Sequence, residues 1–157
     1  MGFFSALFNL FKKPASAVPA TPAAPTNQPT PLTPSTSPRK VLVVEDDLAL
    51  RTMYVELLTK AGFTMSQAAN GEIGLATLKE QKPDIVILDL NMPVMDGKEM
   101  LHTLREIPEF KFLPVIVLTN SGDVDNIRQT NYDNASEFLI KSNIEPDALI
   151  NKIKTFV

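Results

Sequence analysis

Three uninterrupted apolar runs, Val41–Val44, Ile85–Leu88 and Val115–Leu118, limit what this chain can fold into. A β-strand sends successive side chains to opposite faces. A run without polar alternation therefore needs apolar cover on both faces, which a parallel sheet obtains by lying between two layers of helix. Each run is followed by a segment of helical character. After the first, Leu50, Met53, Tyr54, Leu57, Leu58 and Ala61 recur on one helical face. Asp47 is placed to cap that helix and Gly62 to end it. Shorter segments over 63–69 and 137–140 read as two more strands. Residues 71–81, 97–107, 123–132 and 146–157 read as helices, the first weakened by Gly74 and the last opened by Pro146. The expected domain is α/β, a five-stranded parallel sheet with both faces covered.

That domain occupies residues 39–157. Residues 14–38 hold no charged side chain and are dominated by Pro, Ala, Thr and Ser. They have no apolar periodicity and too little bulk to bury, so they read as a disordered linker. In polyproline II the linker reaches about 75 Å. Before Arg39 the charged side chains are Lys12 and Lys13, so the globular part is more acidic than the net −3 of the whole chain. That balance argues against a nucleic-acid surface. The chain has no cysteine, which excludes a disulfide framework and fits a reducing cytoplasm.

In a parallel α/β sheet, ligands bind beyond the carboxyl ends of the strands, where strand order reverses. The residues just past each apolar run therefore matter most. They are Glu45, Asp46 and Asp47 after the first strand, Asp89 after the third, Thr119 after the fourth and Lys141 after the fifth. Each alone has a local explanation; Asp47, for instance, is accounted for as a helix cap. Together they put acids, a hydroxyl and an ammonium on one rim. An acidic pair with no cysteine and a single histidine, His102, points to a hard divalent cation such as Mg²⁺ rather than zinc or copper. Lys141 and Thr119 supply a cation and a donor suited to phosphoryl oxygens. His102 itself reads as an exposed helix residue.

The blocks "VLVVEDD", "VILDLNMPVMDG", "VIVLTN" and "EFLIKS", in this order and at these separations, resemble the receiver domain of bacterial response regulators. The resemblance covers residues 39–157. It implies a flavodoxin-like, doubly wound (βα)5 fold and a role in a two-component phosphorelay. Asp89 then corresponds to the acceptor that takes a phosphoryl group from a histidine kinase. Asp46 and Asp89 correspond to direct Mg²⁺ ligands, Asn91 to a backbone-carbonyl ligand and Glu45 to a ligand through water. Thr119 and Phe138 correspond to the switch pair, and Lys141 to the phosphoryl's partner. The family's output surface maps onto the fourth and fifth helices (123–132 and 146–157) with the strand 137–140 between them. The implied partners are a sensor histidine kinase or phosphotransfer protein and a downstream protein. No output domain is expected in this chain, and no enzymatic activity beyond self-catalysed phosphotransfer and autodephosphorylation. The sequence departs from the family pattern at Ser142, where proline is common, at Asn120, where a smaller residue is usual, and at Asn134, where glycine is frequent.

Two other readings compete. A haloacid-dehalogenase-like phosphatase would carry a second acid two residues after the nucleophile, where this chain has Asn91. A phosphorylation-independent adaptor would not need the complete set of acceptor, acids, threonine and lysine. Residues 1–13 form a separate unit. On a helical wheel Phe3, Phe4, Ala6, Leu7, Phe8, Leu10 and Phe11 share one arc, and Ser5, Asn9, Lys12 and Lys13 the other. Such a helix is too short to span a bilayer. It reads either as an in-plane anchor at the inner face of the membrane or as a helix that docks on a partner protein.

Overall fold

The computed structural model describes residues 37–120 and 135–157, all within the unit Pro34–Val157. The helix expected over 123–132, the departure at Asn134, the unit 1–13 and most of the linker lie outside the described residues.

Five strands form one parallel sheet: β1 (Lys40–Val44), β2 (Thr64–Ala68), β3 (Ile85–Asp89), β4 (Val115–Thr119) and β5 (Glu137–Ile140). Their order is β2-β1-β3-β4-β5, the flavodoxin-like arrangement. The described helices are α1 (Leu48–Lys60), α2 (Gly71–Gln81), α3 (Gly97–Glu106) and α4 (Pro146–Phe156). The apolar runs behave as their patterning demands: every residue of β3 and β4 is buried. Alternation divides them between two cores. Leu42, Val44, Val86 and Leu88 pack with Leu78 of α2 and Met100, Leu101 and Leu104 of α3. Val41, Val43, Ile85 and Ile87 pack on the other face with Tyr54 and Leu58 of α1 and Leu149 and Ile153 of α4. Each fully buried aliphatic side chain contributes about 1.5–3 kcal/mol, so the sheet's centre is held rigidly by both layers.

Helix starts follow local chemistry. Asp47, Asn70 and Asp96 are N-caps, accepting from the backbone N–H of Leu50, Ile73 and Glu99 at 2.9, 2.9 and 2.8 Å. Pro146 opens α4, where a missing N–H costs nothing. Two details differ from the sequence reading. Met53 lies 48% exposed, because only Tyr54 and Leu58 of its stripe are fully buried against the sheet. β3 runs one residue further than its apolar stretch, so Asp89 is part of the strand and pairs in register with Leu118.

Candidate functional site

Strand order reverses between β1 and β3, since β1 has β2 on one side and β3 on the other. The carboxyl ends of these two strands deliver the acids. Glu45 follows β1 directly, and its N–H extends the ladder to the Ala68 carbonyl at 3.1 Å. Its side chain is 1% exposed, whereas Asp46 faces solvent and Asp47 is used as a cap. Asp89 ends β3 and is 2% exposed; Thr119 ends β4 and is 1% exposed. The Thr119 hydroxyl donates to the Asn120 carbonyl at 3.3 Å. Lys141 opens a 3-10 turn, Lys141–Asn143, immediately after β5.

Lys141 ties the rim together. Its Nζ donates to Glu45 Oε1 at 3.0 Å, lies 2.8 Å from Oε2, and is 3.0 Å from Asp89 Oδ2. Asp89 Oδ1 is buried with no hydrogen-bond partner among the described residues. An unpartnered buried carboxylate oxygen is costly. Burial pushes the Glu45 carboxyl above its ordinary value against the opposing hydrogen bond from Lys141, and the charges of Asp89 and Asp46 add to the rise. Burial pulls the Lys141 ammonium down, but its hydrogen bonds to Glu45 and Asp89 outweigh that and hold it above its ordinary value. The lysine therefore stays charged across the physiological range, and two buried acids share it.

One carboxylate oxygen from each of Glu45, Asp46 and Asp89 lies within 4.8 Å of the others. The donors are all oxygens, Asp46 is exposed to solvent, and two buried oxygens, Asp89 Oδ1 and Glu45 Oε2 (the latter in ion-pair contact with Lys141), lack a hydrogen-bond partner among the described residues. This set fits a hard divalent cation that keeps water in its shell, as Mg²⁺ does. Asn91 is exposed, and Phe138 is 36% exposed on the edge strand β5.

The loop after Asp89 is built for close approach. Gly97 donates its N–H to the Leu90 carbonyl at 3.0 Å, and a Cβ there would collide with the Asp89 carbonyl. Only glycine lets α3 start against the Asp89 backbone. Met95 donates to the Pro93 carbonyl at 2.9 Å, closing a turn around Val94, and accepts from Gly71 N–H of α2 at 3.0 Å. Val94 has φ 72° and is 78% exposed.

Three participants were not legible from the motif blocks. Tyr54 reads as an ordinary core residue. It is buried, and burial, followed by the negative charge of Glu45, raises its hydroxyl pKa. Arg51 Nη1 donates to the carbonyls of Glu45 and Asp46 at 2.6 and 3.1 Å. A basic residue at the positive end of α1, whose first turn holds no acid, was the available signal. Val94 gave none beyond a β-branched residue inside a turn.

The family model described as the response regulator receiver domain matches residues 41–154. The chain is 36% identical over 101 residues to the transcriptional regulatory protein AfsQ1 of Streptomyces coelicolor, covering 64% of this chain and 44% of AfsQ1. It thus spans less than half the length of that relative. Its fold is similar to the chemotaxis response regulator CheY4 of Vibrio cholerae, with a TM-score of 0.70 and 30% identity, covering 77% of this chain and 100% of that one. It is also similar to the Mn(2+)-bound form of response regulator Rcp1, with a TM-score of 0.63 and 28% identity, covering 76% and 94%.

Proposed function

Because the chain belongs to the response regulator receiver domain family, we propose that it accepts a phosphoryl group on Asp89 and so switches a protein-binding surface. One observation carries this reading: among the described residues Asp89 Oδ1 is buried and without a hydrogen-bond partner, while Oδ2 is held by Lys141. One carboxylate oxygen is fixed and the other is left for a new bond. The donor is a phosphohistidine of a sensor kinase or phosphotransfer protein. A carboxylate oxygen of Asp89 attacks phosphorus in line, the P–N bond breaks, and its electron pair leaves with the imidazole. Asp46, Asp89 and the Asn91 carbonyl would hold Mg²⁺, with Glu45 acting through water. The ion supplies charge compensation for carboxylate and phosphoryl oxygens brought together. Lys141 pairs with the phosphoryl oxygens, and Thr119 turns its hydroxyl from the Asn120 carbonyl toward them.

The output runs through Thr119 to β5. Thr119 pairs in register with Ile140, two residues from Phe138. β5 is an edge strand, and a groove of about 300 Å³ lies between it and α4, lined by Phe138, Ile140, Ile144, Leu149 and Lys152 among others. Inward movement of Phe138 would reshape that groove for a downstream protein, together with the segment 123–132. No helix among the described residues is long and apolar enough to cross a membrane. On this reading the protein is cytoplasmic, and residues 1–13 bring it either to the inner face of the membrane or to a partner protein.

Incubation with acetyl phosphate and Mg²⁺, resolved on a phosphate-retarding gel, tests the central claim. An acid-stable, alkali-labile shifted band is expected, absent in Asp89→Asn. A chain that takes no label from any phosphodonor is a phosphorylation-independent adaptor. Removal of residues 1–13 is expected to abolish co-sedimentation with anionic liposomes; unchanged sedimentation rules out the anchor and leaves the protein-docking reading.

A further inference from the structure

The geometry points to Arg51 as a positioning residue for the metal site, holding the backbone of both acids that follow β1. This rests on the metal-dependent reading of the site.

Arg51 occupies the first turns of α1, and its own N–H donates to the Asp47 carbonyl at 2.9 Å. A cation there opposes the helix dipole, whose positive end favours acids. The N-cap Asp47, whose side chain accepts from Leu50 N–H, offsets it only in part. A residue placed against a local rule needs a reason elsewhere. The side chain runs back past the helix start, and a single nitrogen, Nη1, donates to the carbonyls of Glu45 and Asp46 at 2.6 and 3.1 Å. Strand pairing of β1 ends at Val44 on both sides. Past the Glu45 N–H, which makes the last ladder bond to Ala68, the backbone of Glu45 and Asp46 leaves the sheet, and these residues carry two of the three clustered carboxylates. Glu45 is further fixed by its N–H on Ala68 and its side chain on Lys141. The Asp46 side chain is exposed, and its place depends on the loop backbone that Arg51 grips. A charged donor suits the task, because hydrogen bonds from an ionised group are shorter and stronger.

Electrostatics and positioning predict opposite signs, which makes the claim decidable. Removing a cation beside a dication site should tighten metal binding. Removing the group that orients two ligands should weaken it, by roughly 10–100-fold for outer contacts of this kind. The experiment is calorimetric titration of the full chain with Mg²⁺, for wild type, Arg51→Gln and Arg51→Lys, alongside urea unfolding. Acetyl-phosphate labelling as a function of Mg²⁺ gives a second readout. In Arg51→Gln, Mg²⁺ binding weakens about tenfold. The half-saturating Mg²⁺ for labelling rises by the same factor, while labelling at saturating Mg²⁺ changes less than about twofold. Arg51→Lys, which keeps one charged donor, recovers part of the affinity. Should Arg51→Gln fail to fold, the comparison of Arg51→Lys with wild type decides, with an intermediate loss of affinity supporting the role. Equal or tighter Mg²⁺ binding in a folded variant overturns it. A wild type that is labelled and binds Mg²⁺, with variants indistinguishable from it, overturns this inference alone. A wild type that does not bind Mg²⁺ overturns the functional reading and this one with it.

Discussion

Val94 combines three properties that rarely coincide: a β-branched side chain, a φ of 72° and 78% exposure. The left-handed region is disfavoured for branched residues by Cβ contacts with the backbone, and such strain costs on the order of 1–3 kcal/mol. Neither burial nor side-chain packing recovers it at this exposed position. The turn exists because Met95 must donate to Pro93 and accept from Gly71 while Gly97 reaches Leu90. Asn tolerates this φ far better than valine. Val94→Asn is therefore expected to raise unfolding stability by about 1 kcal/mol, read as an increased urea midpoint at unchanged m-value. A lowered midpoint would mean that the valine makes contacts worth more than the strain. Arg51 belongs to the same scale, since its role lies in one nitrogen and two carbonyls.

At the scale of elements, the junction of β3 and α3 governs the site. Asp89 is held by the ladder to β4 on one side, while the next helix begins against its backbone. A methyl group at Gly97 would meet the Asp89 carbonyl and the Leu90 Cα, both backbone atoms that cannot rotate aside. Gly97→Ala is expected to cost about 3 kcal/mol, at the upper end for overpacking. It should also lower the rate of acetyl-phosphate labelling, because relief requires β3 or α3 to shift Asp89. Denaturant melts and initial labelling rates check both parts. Gly74 tells a related story in α2. Its poor helix propensity is the local cost of bringing α2 close to α3, where the end of the Met100 side chain would lie within 2.8 Å of an added Cβ.

For the whole molecule, the site is a stability defect that a ligand repairs. Glu45 has a folded pKa raised above its ordinary 4.5, so folded protein retains a proton that unfolded chain releases. Its contribution to stability is present below about pH 4.5 and is lost as pH rises through the folded value. Lys141 is also raised, above its ordinary 10.5, and its contribution persists until pH climbs through that higher value. Ionisation of Glu45, as pH rises through its raised value, thus weighs against the fold. Metal-free protein is expected to lose stability as pH rises above 4.5, and Glu45→Gln should flatten that fall. Added Mg²⁺ should stabilise the wild type by about 2.7 kcal/mol at a hundred times its Kd, and Asp89→Asn much less. Thermal melts across pH, with and without Mg²⁺, measure all three.

What the sequence determined by itself is what local patterning encodes. Uninterrupted apolar runs require burial on both faces, capping residues set helix starts, and the residues just past each run name the rim. Asp89, Thr119, Glu45 and Lys141 were legible because each stands at the boundary of its own strand. Only the tertiary structure decided that Lys141 reaches two acids at once and that one oxygen of Asp89 has no partner among the described residues. It alone also decided that Arg51 grips the loop, that Val94 is strained and that Met53 faces solvent. These depend on strand order and on the distance between chain-remote groups. Segments far apart in sequence acquire those relations only when the sheet closes around a shared core.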